Sequence, residues 1–188
     1  MNYRIFSLKS ICLWIALLVP SISFAEALPL HVQGVDLLDS KSKDVGVQGK
    51  KGLVVIFLSA KCPCSNSHIP EVTELSKDYP DFNFVAIHAN GNETEKESAE
   101  YFKNSKIPFP VIQDDHAKLA DQFKALKTPH VFVILADGSV AYQGGVSSSA
   151  NFAEAKTKFL RDALEDLQKN RKVKTAEGRT LGCVIKRG

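Results

Sequence analysis

The chain has 188 residues, 44% of them hydrophobic, with 24 basic against 21 acidic side chains. That length is one ordinary domain's worth, and the hydrophobic share excludes a disordered chain. The near-balanced charge, +3 with neutral histidines, gives no case for nucleic acid or an anionic membrane surface as partner.

Residues 1–25 read as a secretory leader. Arg4 and Lys9 precede an apolar run from Ile11 to Val19, and Ser23-Phe24-Ala25 puts small residues at the cleavage positions. The run is too short to span a bilayer, and no later stretch is a better candidate. Removing 25 of the 188 residues leaves 163, with 22 basic and 21 acidic groups and a net charge of +1. The expectation is an exported protein of a bacterial periplasm. Cys12 is lost with the leader, which leaves Cys62, Cys64 and Cys183. An odd number argues against a framework of paired structural bridges. In an oxidising compartment an unpaired thiol is either buried and inert or used.

After the leader, His31 to Leu38 reads as an edge strand and the polar stretch Ser40 to Gly52 as a hairpin or loop. Leu53 to Ser59 is a continuous apolar run rich in β-branched residues, the pattern of a strand buried on both faces. Ile69, Val72 and Leu75 give Ser65 to Tyr79 a helical spacing, and Phe82 to His88 is a second buried strand. Thr94 and Glu97 form a capping box ahead of a helix running to Asn104. Phe109 to Ile112 is a short segment, and Ala117 to Phe123 a short helix. Val131 to Leu135 and Val140 to Tyr142 flank Ala136-Asp137-Gly138-Ser139, a hairpin signal. Phe152 to Leu167 reads as one long amphipathic helix. From Gln168 the chain is basic and polar, and Gln168 to Gly178 reads as a solvated tail before Leu181-Gly182-Cys183-Val184-Ile185. This order predicts an α/β sandwich with a mixed sheet over residues 26–167, followed by a basic C-terminal tail, 168–188, that carries Cys183.

In open α/β sheets function gathers where strands end and helices begin. The Leu53–Ser59 strand ends directly before Ala60-Lys61-Cys62-Pro63-Cys64-Ser65. Pro63 suits a first helical position, where its missing N–H costs nothing. Cys62 then falls at the N-cap, facing unpaired N–H groups and the positive end of the helix dipole, and both favour a thiolate.

These residues resemble the active-site segment of the thioredoxin fold: Phe57-Leu58-Ser59-Ala60-Lys61-Cys62-Pro63-Cys64-Ser65, with Pro70 in the next helix. Thr128-Pro129-His130-Val131-Phe132-Val133 is similar to that fold's Thr-Pro segment. Phe109-Pro110-Val111-Ile112-Gln113-Asp114, Asp137-Gly138 and Tyr142-Gln143-Gly144 resemble the redoxin branch, the alkyl hydroperoxide reductase/thiol-specific antioxidant group and its thiol–disulfide relatives. The resemblance covers about Leu30 to Leu167. It implies a thioredoxin-like three-layer sandwich, Cys62 as the attacking thiol, and Pro129 as a cis proline facing it. It also implies that Pro63, Ser65, Thr128 and Pro129 line a substrate groove, with Ser65 donating a hydrogen bond to the sulfur. Cys64 or Cys183 would resolve the intermediate, since the tail around Cys183 resembles a C-terminal segment of some redoxin relatives.

The pattern also departs from that family. Thioredoxins carry two residues between their cysteines; here Ser65 stands at that second position and Cys64 is one residue too early. Residues two apart on a helix point about 200° apart, which works against Cys62–Cys64 pairing. Val55 stands where peroxiredoxins carry a proline, and Ile56 where thioredoxin has a buried acid. The expected activity is thiol–disulfide exchange on protein or small-molecule disulfides, reset by an upstream thiol reductant, with no dissociable cofactor and no resident metal. The alternatives are a thiol-dependent peroxidase and, in a different class, a Cu(I) metallochaperone using Cys62, Cys64 and His68, with His130 beside the proline.

Overall fold

The structure is a computed structural model that describes residues 28–187; the leader read over residues 1–25 lies outside them. Among the described residues no helix is long and apolar enough to cross a membrane. The central sheet holds β3 (Gly52–Leu58), β4 (Phe82–His88), β5 (Val111–Gln113), β7 (His130–Leu135) and β8 (Val140–Gly144) in the order β5-β4-β3-β7-β8. β3 pairs parallel with β4, and β4 with β5. β3–β7 and β7–β8 are antiparallel, so the sheet is mixed.

Every residue of β3 is buried, as its unbroken apolar run requires. The period-2 alternation of a strand then divides the core. Val54, Ile56 and Leu58 join Val131 and Val133 on one face, together with Ile69, Val72 and Leu75 of α1 (Pro63–Asp78), Phe102 of α2 (Glu95–Asn104) and Leu160 and Leu164 of α4 (Phe159–Gln168). Leu53, Val55 and Phe57 join Phe132 and Ile134 on the other face, under Ala120 of α3 (Lys118–Gln122) and Phe123. Each wholly buried Val, Leu or Ile contributes about 1.5–3 kcal/mol. The result is the expected three-layer, thioredoxin-like sandwich.

β1 (His31–Val35) and β2 (Ser42–Gly46) form a separate two-stranded hairpin, which touches the β5 edge through an Asp36–Ile112 bridge. The capping box is present: Glu97 N–H donates to Thr94 Oγ1 at 3.3 Å, and Thr94 N–H donates to the Glu97 carboxylate at 3.1 Å. Thr94→Ala should lower stability by about 1 kcal/mol, read as a lower urea midpoint.

The structure corrects two expectations. The long helix over Phe152 to Leu167 is broken, because a single helical turn at Phe152–Glu154 is followed by extended Ala155 and α4 begins only at Phe159. Ser148 Oγ accepts the N–H groups of Lys156 and Thr157 at 3.1 and 3.0 Å, a side-chain alternative to helical pairing. The tail is also not simply solvated. Lys169, Arg171, Lys172 and Lys174 are exposed, but Val173 is buried. Gly178 N–H and Gln143 C=O pair at 2.9 Å, as do Gln143 N–H and Ala176 C=O. β8 is an edge strand, and the tail covers its unpaired backbone. Beyond it, β9 (Cys183–Val184) pairs antiparallel with β6 (Lys127–Thr128).

Candidate active site

β3 delivers the chain to the start of α1. Cys62 is the N-cap residue, extended at φ −86 and ψ 113, and Pro63 opens the helix. Thr128-Pro129, whose peptide bond is cis, arrives opposite it from the β6–β7 junction. The tail brings Cys183 to the same place by pairing it with Thr128. The sulfurs of Cys62, Cys64 and Cys183 all lie within 4.8 Å of one another. The sequence argument set Cys64 on the far side of the helix from Cys62. The N-cap is extended rather than helical, so the helical rotation does not apply between them.

All three cysteines are free thiols; Cys62 is buried, while Cys64 and Cys183 are partly exposed. As a thiol Cys62 donates to the Thr128 carbonyl at 3.2 Å, and its sulfur accepts the Ser65 N–H at 3.5 Å. The Ser65 contribution is therefore its backbone and not its hydroxyl, which accepts the Ser59 N–H at 3.3 Å. Burial pushes the Cys62 thiol up. Hydrogen bonds from the Cys183 thiol, the Thr128 side chain and the Ser65 N–H overcome this and bring it down to about 7. Among the described residues the buried Thr128 hydroxyl has no hydrogen-bond partner, so it is available to the sulfur. Burial and the hydrogen bond with Cys62 push Cys183 up to about 12. Burial and the Cys62 charge also raise Cys64. Of the three thiols, Cys62 is the one shifted toward ionisation, while the two beside it are shifted away from it.

The sequence reading missed the group that holds this loop. Glu93, from the turn between β4 and α2, is buried beneath residues 59–61. It accepts the Ser59 hydroxyl, the Ala60 N–H at 2.8 Å, the Lys61 N–H at 3.4 Å and the Asn90 amide at 3.1 Å. The fully buried His88 sits 3.1 Å from the same carboxylate, with Ser98 Oγ 3.1 Å from its Nε2 and Gln113 Oε1 2.9 Å from its Nδ1. Ile56 occupies the strand position of thioredoxin's acid, and here the buried carboxylate comes from another segment. The available signal was His88, Asn90 and Glu93 directly after a buried strand, where unpaired polar side chains are costly.

The histidines weighed as metal ligands stand away from the sulfurs. His68 Nε2 meets Ser147 Oγ at 2.8 Å and Nδ1 meets the Cys64 carbonyl at 2.7 Å. His130 packs on Phe132, ring centroids 4.5 Å apart. The group able to take a soft cation such as Cu(I) is instead the three sulfurs.

Residues 26–143 match the AhpC/TSA family. The chain belongs to that family. A search of curated protein sequences finds no match. Among solved structures the chain is similar to an uncharacterised conserved protein of Geobacillus kaustophilus, at 25% identity and TM-score 0.71, covering 85% of this chain and 92% of that one. A hypothetical protein of Sinorhizobium meliloti 1021 aligns at 21% identity and TM-score 0.76, covering 88% and 96%. A secreted disulfide oxidoreductase of Mycobacterium tuberculosis, homologous to E. coli DsbE, aligns at 19% identity and TM-score 0.52, covering 59% and 81%. The AhpC/TSA match ends before the C-terminal segment, so the Cys183 strand lies outside it.

Proposed function

We propose that this AhpC/TSA-family chain is an exported thiol–disulfide oxidoreductase in which Cys62 is the attacking thiolate and Cys183 the resolving thiol. The observation that carries the reading is a buried N-cap sulfur with two further free thiols within 4.8 Å of it. The leader-like residues 1–25 support export, and a secreted disulfide oxidoreductase shares the fold.

The Cys62 thiolate attacks one sulfur of a substrate disulfide, forming a mixed disulfide and releasing the other half as a thiolate, which takes up a proton. Cys183 then gives up its proton and attacks the Cys62 sulfur. That step releases the second substrate thiol and leaves a Cys62–Cys183 disulfide. Two substrate thiols have formed, the enzyme dithiol has been oxidised, and an external thiol reductant resets it. Thr128 and Ser65 hold the attacking sulfur by hydrogen bonds. A peroxide would meet the same sulfur, lose water and leave a sulfenic acid for Cys183 to condense with. Disulfide exchange is preferred because two thiols stand ready to accept a mixed disulfide, and Val55 replaces the peroxiredoxin proline.

Turnover of bis(2-hydroxyethyl) disulfide with a thiol reductant tests the reading. Wild type should exceed the uncatalysed rate, and Cys62→Ser should fall to it; equal rates for the two proteins would end the proposal. Mass-spectrometric mapping of the oxidised protein should find Cys62 linked to Cys183. A Cys62–Cys64 link alone would move the resolving role to Cys64.

A further inference from the structure

We infer that the C-terminal strand is a resident occupant of the client groove, so that the enzyme acts on small disulfides and shuts out extended protein strands while β9 is seated. This rests on the reading of Cys62 as the attacking thiolate. A protein client offers its disulfide on an extended segment, and such segments bind by adding a strand to an open backbone edge. The backbone beside the Cys62 sulfur is that of Thr128, whose carbonyl lies 3.2 Å from Sγ. That edge is already taken: Cys183 pairs with Thr128 and Val184 with Lys127.

The strand is fastened along its whole length. Gly182 lies so close that a Cβ there would run into the Thr128 carbonyl. Ile185 N–H donates to the Leu126 carbonyl at 3.0 Å, and its side chain, 2% exposed, sits in the core under β3. Lys186 N–H donates to Asn90 Oδ1 at 2.9 Å, and Arg187 reaches Asp121 at 2.6 Å and the Ala125 carbonyl at 3.0 Å. Upstream, a Cβ on Gly144 would run into the Gly178 backbone, and one on Gly178 would run into the Tyr142 hydroxyl. With the strand in place Cys62 is 1% exposed. A substrate sulfur must pass the partly exposed Cys64 and Cys183 to reach it, which a small disulfide can do and a folded chain cannot. Cys183 itself holds the position that a client cysteine would take, so the seated strand serves both as resolving group and as filter.

The test compares turnover of bis(2-hydroxyethyl) disulfide and of insulin by wild type, Gly182→Val and Ile185→Glu, with the Cys62→Ser rate subtracted. Both variants leave Cys62 intact and unseat β9 by different means, one at the Thr128 contact and one in the core; because Cys183 leaves with the strand, every assay holds excess thiol reductant to resolve the mixed disulfide, and the comparison is read as a ratio of the two substrates. Wild type should reduce insulin more slowly than the small disulfide. Unseating should raise the insulin-to-small-disulfide ratio on the order of tenfold, the worth of one or two backbone hydrogen bonds to a bound strand. Comparable wild-type rates on both substrates, or a ratio that moves in neither variant while the small disulfide is still turned over, would overturn the inference and leave the oxidoreductase reading intact. No wild-type turnover of either substrate above Cys62→Ser would sink that reading, and this one with it.

Discussion

Glu93→Leu should cost about 3–5 kcal/mol of stability, the range for removing one partner from a buried, charged hydrogen-bond group. The carboxylate takes donors from Ser59, Ala60, Lys61 and Asn90 and faces His88, and its side chain is 2% exposed. A leucine would leave those donors unpaired in a dry site directly before Cys62. The pH dependence is a second readout. Burial pushes the Glu93 carboxyl up, but hydrogen bonds from His88, Ser59 and Ala60 hold it down at about 2, against an ordinary 4.5. A depressed carboxyl stabilises the fold fully above its unfolded value and loses that contribution as pH falls through the folded one. Wild-type stability should therefore decline between about pH 4.5 and pH 2 by roughly 3 kcal/mol from this group. Glu93→Gln should flatten the decline in that window. Urea midpoints measured across the pH range would check both points; identical slopes for wild type and Glu93→Gln would show that the carboxylate is not what holds the loop.

Cys183→Ala should raise the midpoint of Cys62 ionisation and slow its reaction at neutral pH. Of the contributions that lower the Cys62 thiol, the Cys183 hydrogen bond is the largest, and burial works against all of them. Removing it leaves burial less opposed. In wild type the ultraviolet absorbance of the thiolate should rise with a midpoint of about 7. Cys64 is raised and Cys183 lies at about 12, so that first step belongs to Cys62. In Cys183→Ala the step should move up, and the thiolate fraction at pH 7 should fall by about tenfold. Alkylation by a small reagent should slow in proportion. An unmoved midpoint would mean that Cys183 does not support the anion, and its place in the mechanism would then rest on mapping alone.

Much of the layout was legible without coordinates because it depends on local patterns. The unbroken apolar run before Ser59 demanded a strand buried on both faces. Thr94 and Glu97 announced a helix start, and Pro63 announced another that put Cys62 at its N-cap. The stretch before α4 is not helical because Ser148, in the loop just ahead of it, takes the N–H groups of Lys156 and Thr157, and the apolar spacing of Phe152 to Leu167 carries no sign of that local hydrogen bonding. Glu93 escaped notice because what makes it consequential is a set of donors delivered by β3 and β4, and sequence spacing carries no record of which loops meet.

The sequence by itself determined the chemistry of one junction: a cysteine, a proline and a helix start, at the end of a strand too apolar to lie anywhere but the centre. Such features arise from dihedral preferences and periodicity within a few residues. Only the tertiary structure decided that Cys183 closes on Cys62, that Glu93 anchors the loop from beneath, and that the last strand pairs with the backbone of Lys127 and Thr128. Those are contacts between segments far apart in the chain. They form because burying Ile185 and pairing an open strand edge stabilise the fold, and no local pattern encodes which edge is left open.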